Sequence, residues 1–119
     1  MSKIESISAV TLATRSMSGA VNFYQVLGFT MLYGGARADF TSFSVGPGYL
    51  NLIFCPDYFA SGWGRVIFYV ADVDALYQTA MGQGLKPDTF PRDAEWGERY
   101  FHITDPDGHE LSFAKRLDL

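Results

Sequence analysis

The sequence predicts an α+β fold of two βαβββ modules, forming a curved mixed sheet around a cleft with the helices on its outer face. Three observations carry this expectation. Short apolar runs alternate at strand spacing, and only two segments show helical spacing. Each helical segment is preceded by a capping residue and followed by a glycine. The pattern of the first strand and helix returns 56 positions later: Val10 answers to Val66, Leu12 to Phe68, Ser16 to Asp72, Met17 to Val73 and Gly28 to Gly84.

The elements follow in order. Ile7 to Ala13 alternates, with Val10 and Leu12 on one side, as a half-buried strand does. Ser16 caps a helix that runs from Met17 to Leu27, with Met17, Ala20, Val21, Tyr24 and Leu27 on its apolar face. Gly28 ends it, because glycine accepts the left-handed backbone found there. A short strand, Phe29 to Tyr33, runs into the Gly34-Gly35 turn. Phe40 to Val45 and Tyr49 to Phe54 make a hairpin around Gly46-Pro47-Gly48. In the second module Arg65 to Val70 is a strand, Asp72 a cap and Val73 to Met81 a helix. A loop holding Pro87 and Pro91 follows. Arg99 to Thr104 and Glu110 to Phe113 are strands joined by the turn Asp105-Pro106-Asp107-Gly108.

A length of 119 residues fits one domain. Its first module is expected over about 4–55 and its second over about 64–115, with Pro56 to Gly64 between them. The helix-facing strand positions supply the expected core: Val10, Leu12, Phe43, Val45, Leu50, Leu52, Val66, Phe68, Val70, Phe101, Ile103, Leu111 and Phe113.

Composition narrows the function. A net charge of −4 with scattered Lys and Arg argues against nucleic-acid and anionic-membrane partners. One cysteine, Cys55, rules out an intramolecular disulfide. The start of the chain lacks a signal-peptide pattern and no apolar run reaches membrane-spanning length, so the expected compartment is the cytoplasm. G-x-S-x-G, P-loop and H-E-x-x-H motifs are all missing.

Three stretches resemble one family. They are Ala20-Val21-Asn22-Phe23-Tyr24 through Leu27-Gly28-Phe29, then Phe68-Tyr69-Val70-Ala71-Asp72-Val73-Asp74-Ala75-Leu76, and the run W-G-E-R-Y-F-H-I-T-D-P-D-G-H-E-L-S-F from Trp96 to Phe113. The family is the vicinal oxygen chelate superfamily, the glyoxalase/bleomycin-resistance/dioxygenase group. The resemblance implies paired βαβββ modules curling around a ligand cleft, a homodimer, and in many members a divalent metal on four cleft-facing strand positions. Here those positions carry Ala9, Asn51, Arg65 and Ser112. Alanine has no donor atom and arginine is a permanent cation without a lone pair. A divalent metal is therefore disfavoured and no cofactor is expected.

Strand alternation puts Tyr49, Asn51, Arg65, Tyr69, Tyr100, His102, Glu110 and Ser112 on the side away from the helices. With the loop residues Trp63 and Trp96 they make the candidate ligand-binding set; no residue is assigned a catalytic role. Arg65 suits an anionic ligand group or an ion pair with Glu110. His102 suits a proton shuttle or a hydrogen-bonded filler. His109, after the turn, is expected at the surface. The resulting expectation is a metal-free protein that binds, and sequesters, an aromatic or cationic small molecule. Its rival is a metal-dependent glyoxalase-like lyase, isomerase or dioxygenase, with metal held around His102 and Glu110.

Overall fold

A computed structural model describes residues 3–118. The chain divides into two compact units, Met1–Tyr58 and Phe59–Leu119. The division falls inside the connector expected between the modules. Together the units hold two four-stranded mixed sheets and two helices, an α+β arrangement with two βαβββ modules, as the sequence predicts. Among the described residues no helix is long and apolar enough to cross a membrane.

In the first unit β1 (Ala9–Thr14) leads into α1 (Met17–Val26), then β2 (Thr30–Tyr33), β3 (Phe40–Val45) and β4 (Gly48–Phe54). The Ser16 hydroxyl accepts from the Gly19 amide, satisfying one of the donors that a helix start leaves open. Gly28 follows with φ +92°, the left-handed geometry that stops the helix. The sheet order is β1-β4-β3-β2, with β1 and β4 parallel and the other pairs antiparallel. Leu12, Phe43, Leu50 and Leu52 are buried beneath α1, whose Tyr24 ring stands edge-on to Phe29 at 5.3 Å.

The second unit repeats this with β5 (Arg65–Tyr69), α2 (Val73–Gly82), β6 (Arg92–Asp93), β7 (Glu98–Thr104) and β8 (Glu110–Arg116), in the order β5-β8-β7-β6. Asp72 caps α2 through the Ala75 amide, and Gly84 takes φ +83°. The offset of 56 therefore holds from strand to cap to helix stop. It does not hold beyond: Ala9 pairs with Tyr49 and Arg65 with Glu110, an offset of 61 (110 against 49). The extra residues fall between α2 and β8, where the loop with Pro87 lies. There Asp88 donates its amide to the His102 carbonyl at 2.8 Å, and the His102 amide donates to Thr89 Oγ1 at 3.0 Å, covering part of β7.

Several boundaries differ from expectation. The first strand starts at Ala9; Ile7 is 80 % exposed. The second unit has a two-residue strand, β6, where a loop was expected, because two residues are too few to show alternation. Val10, Val45, Val66 and Val70 are half-buried, not core. Val10 and Val66 stand on the outer strands of their sheets, and Val45 and Val70 at or just past strand ends, so a neighbour is missing on one side.

Candidate functional site

Pairing of β5, β8 and β7 puts one alternating set of side chains on a single face. Arg65 is opposite Glu110, Ile67 opposite Ser112 and Tyr69 opposite Ala114; His102 is opposite Ser112, Tyr100 opposite Ala114 and Glu98 opposite Arg116. The other set, Phe68, Phe101, Ile103, Leu111 and Phe113, is buried in the core. Phe113 stacks on Phe68 at 5.3 Å and fixes these strands from behind.

On the open face lies a hollow of about 260 Å³, lined by Arg65, Ile67, Trp96, Glu98, Tyr100, His102, Ser112 and Ala114. Its walls are mainly apolar. The Trp96 and Tyr100 rings are stacked, 5.6 Å apart and inclined by 28°. The Arg92 guanidinium lies 5.5 Å from the Tyr100 ring centre, and its Nε donates to the phenol oxygen at 3.1 Å. Polar groups gather at two places.

The first is a hydrogen-bonded chain. Arg65 donates from Nη1 to the Leu111 carbonyl at 3.0 Å and to Ser112 Oγ at 3.2 Å, and from Nη2 to Glu110 at 2.9 Å. Ser112 Oγ lies 2.7 Å from His102 Nδ1. Burial holds the His102 imidazole below its ordinary pKa; the cations of Arg65 and Arg92 push the same way, against Asp88 and Glu110. These causes together favour the neutral ring.

The second is Glu98. Trp96 Nε1 donates to one carboxylate oxygen at 2.9 Å and the Tyr69 hydroxyl donates to the other. These two donors, aided by Arg116, hold the carboxyl below its usual range. The same bond pushes the Tyr69 phenol up, because ionisation would put two anions together.

Five of the ten residues expected from sequence line this hollow: Arg65, Trp96, Tyr100, His102 and Ser112. Five are not in its lining. Tyr69 reaches it only through its bond to Glu98. Tyr49 and Asn51 stand on β4 of the first unit, where Asn51 Nδ2 donates to Thr11 Oγ1. Glu110 pairs with Arg65 and is not in the lining. Trp63 donates its indole N–H to His109 Nδ1 at 2.9 Å. His109, expected at the surface, is 2 % exposed. The turn explains this: the Asp105 carboxylate accepts the amides of Asp107 and His109, curling the backbone so that the imidazole tucks beneath Trp63. Ile67, Glu98 and Ala114 line the hollow and were not in the expected set, although they lie in phase with Arg65, Tyr100 and Ser112 along their strands.

The donor set does not suit a divalent cation. At two of the positions where the resemblance implies metal ligands, the second unit presents Arg65 and Ser112, and they hydrogen-bond each other. His102 Nδ1 is tied to Ser112, and Glu110 to Arg65. Among the described residues no group of three or more His, Cys, Asp or Glu could hold a metal ion. A second hollow, about 340 Å³ at the start of α2, is lined by Asp72, Asp74, Arg99, Lys115 and Arg116 among others. Of its cations, Arg99 is already paired with Asp74 at 2.9 Å and Asp93 at 3.0 Å.

The two βαβββ modules and the aromatic hollow on one of their sheets define a class of small proteins that share this module. The family model of the Glyoxalase/Bleomycin resistance protein/Dioxygenase superfamily matches residues 6–113, and the chain belongs to that superfamily. No curated protein matches the sequence. Solved structures do match the fold. TioX from Micromonospora sp. ML1 is 25 % identical with a TM-score of 0.74, covering 95 % of this chain and 100 % of its own. A bleomycin-binding protein complexed with bleomycin is 20 % identical, TM-score 0.72, covering 95 % and 99 %. Lactoylglutathione lyase from Agrobacterium tumefaciens is 20 % identical, TM-score 0.77, covering 96 % of each. A bleomycin-binding protein and a lyase share the architecture, so the fold does not choose between binding and catalysis.

Proposed function

We propose that this protein binds a flat aromatic small molecule in the hollow of its second unit, without a resident metal, and acts by sequestering it. The observation that carries this reading is the stacked Trp96–Tyr100 pair beside Ile67 and Ala114 in a hollow with few polar groups. A preformed aromatic wall favours planar ligands, since it presents a large apolar face at little cost in side-chain freedom. The metal-free part is supported by Arg65, whose fixed charge stands where a cation would have to sit. The bleomycin-binding relative of the same fold is in keeping with a sequestering role. The reading also takes the protein to be a cytoplasmic homodimer, which light scattering of purified protein checks for its oligomeric part.

Fluorescence titration with a panel of planar aromatic compounds tests the binding, with elemental analysis of protein prepared without chelators alongside. The expected result is saturable binding that is weakened about tenfold in Trp96→Ala, with no stoichiometric metal. Stoichiometric nickel, zinc, iron or manganese that disappears in His102→Ala would overturn it.

A further inference from the structure

The hydrogen-bonded chain behind the hollow fixes a proton, and that narrows the ligand. This selectivity rests on the hollow being the binding site proposed above. Arginine only donates, so Arg65 Nη1 uses one lone pair of Ser112 Oγ. Ser112 is 3 % exposed, and its hydroxyl has one other hydrogen-bond partner, His102 Nδ1 at 2.7 Å. Were Nδ1 protonated, it would take the remaining lone pair and leave the hydroxyl hydrogen buried with no acceptor. That loss disfavours the arrangement by about tenfold or more. The hydroxyl therefore donates to Nδ1, and the neutral ring carries its proton on Nε2. Nε2 has no protein partner among the described residues, and His102 lines the hollow.

The surrounding charges agree with this. Arg65 and Arg92 act on the imidazole from one side of the balance, Asp88 and Glu110 from the other, and the cations count for more. Glu98, the one carboxylate in the lining, already accepts Trp96 on one oxygen and Tyr69 on the other. We infer that the Arg65–Ser112–His102 chain sets Nε2–H as a fixed donor in the hollow, selecting planar aromatic ligands with an acceptor oxygen, a carbonyl or carboxylate, over those with a cation.

The test has two arms on the purified protein. Histidine-selective ¹⁵N NMR reads the tautomer, with His102→Gln identifying which signals belong to His102. The expected spectrum has Nε2 protonated and Nδ1 bare near neutral pH. The second arm measures Kd for three probes on one ring system: naphthoate, acetylnaphthalene and naphthylmethylammonium. The two acceptor-bearing probes are expected to bind about tenfold tighter than the ammonium, as a hydrogen bond made in a partly buried site allows. Ser112→Ala, which frees the tautomer, should reduce that ratio to about threefold or less. A bare Nε2 overturns the inference, as does an ammonium probe that binds as well as the others. If no probe binds while the tautomer is as stated, the reading of the hollow as a binding site fails, and the ligand selectivity with it. If all three bind equally, the site stands and the selectivity falls.

Discussion

Replacing Arg65 by methionine keeps an unbranched apolar stem and removes the guanidinium with every donor. Three interactions go. The Arg65–Glu110 pair is 30 % and 46 % exposed on its two side chains, so it is worth about 0–1 kcal/mol in screened solvent. The bonds from Nη1 to the Leu111 carbonyl and Ser112 Oγ are partly buried and contribute about 0.5–1.5 kcal/mol each. The expected loss is about 1–4 kcal/mol, read as a lower urea midpoint at unchanged slope. The same variant has a second, independent readout. Burial is the larger cause of the depressed His102 pKa and the Arg65 charge the next. Removing the charge should raise the pKa, yet leave it below 6.5. Urea unfolding and an NMR titration of His102 measure both. An unchanged midpoint together with an unmoved or lowered His102 pKa would mean that Arg65 is not held against Ser112 and does not act on His102.

Other expectations follow from the same contacts. Trp96→Ala removes half of the stacked wall and should weaken an aromatic ligand about tenfold in a fluorescence titration, with the melting temperature little changed because Trp96 is 69 % exposed. Phe113→Ala, with Phe113 1 % exposed and stacked on Phe68 and Phe101, should cost about 3–5 kcal/mol in chemical denaturation. Glu98→Gln takes away the anion that raises the Tyr69 phenol pKa, so ultraviolet titration should show one tyrosine ionising at lower pH than in the parent. His102 also makes stability depend on pH. Its folded pKa lies below the ordinary 6.5, so the unfolded chain takes up the proton first as pH falls. Its contribution is complete above that value and is lost as pH falls toward the folded pKa; in His102→Gln the slope of stability against pH in that window should be shallower.

What could be read from the sequence depended on how local its cause was. Ser16 and Asp72 announce their helices because a cap acts over three residues, and Gly28 and Gly84 end them through their own backbone freedom. Strand alternation sorted Arg65, Tyr100, His102 and Ser112 onto one face, and pairing across β5, β8 and β7 brought them together. The Arg65–Glu110 pair was legible as an alternative because both residues lie in phase at their strand starts. Burial of His109 was not legible, since it depends on Trp63, 46 residues away, reaching back to it. The strand β6 escaped for the opposite reason: it has two residues, and its place is set by β7. Tyr49 and Asn51 share the expected register but belong to the sheet of the first unit, a distinction that alternation cannot draw.

A planar ligand that enters the hollow on the second sheet without a metal leaves a direct signature. Isotope-labelled protein, prepared without chelators and analysed for metal content, can be titrated with naphthoate and followed by NMR. Saturable shifts centred on Ile67, Tyr100, His102, Ser112 and Ala114 are expected, in protein that holds no stoichiometric metal. Shifts confined to other residues, or binding that requires an added divalent cation, would contradict this mode of binding.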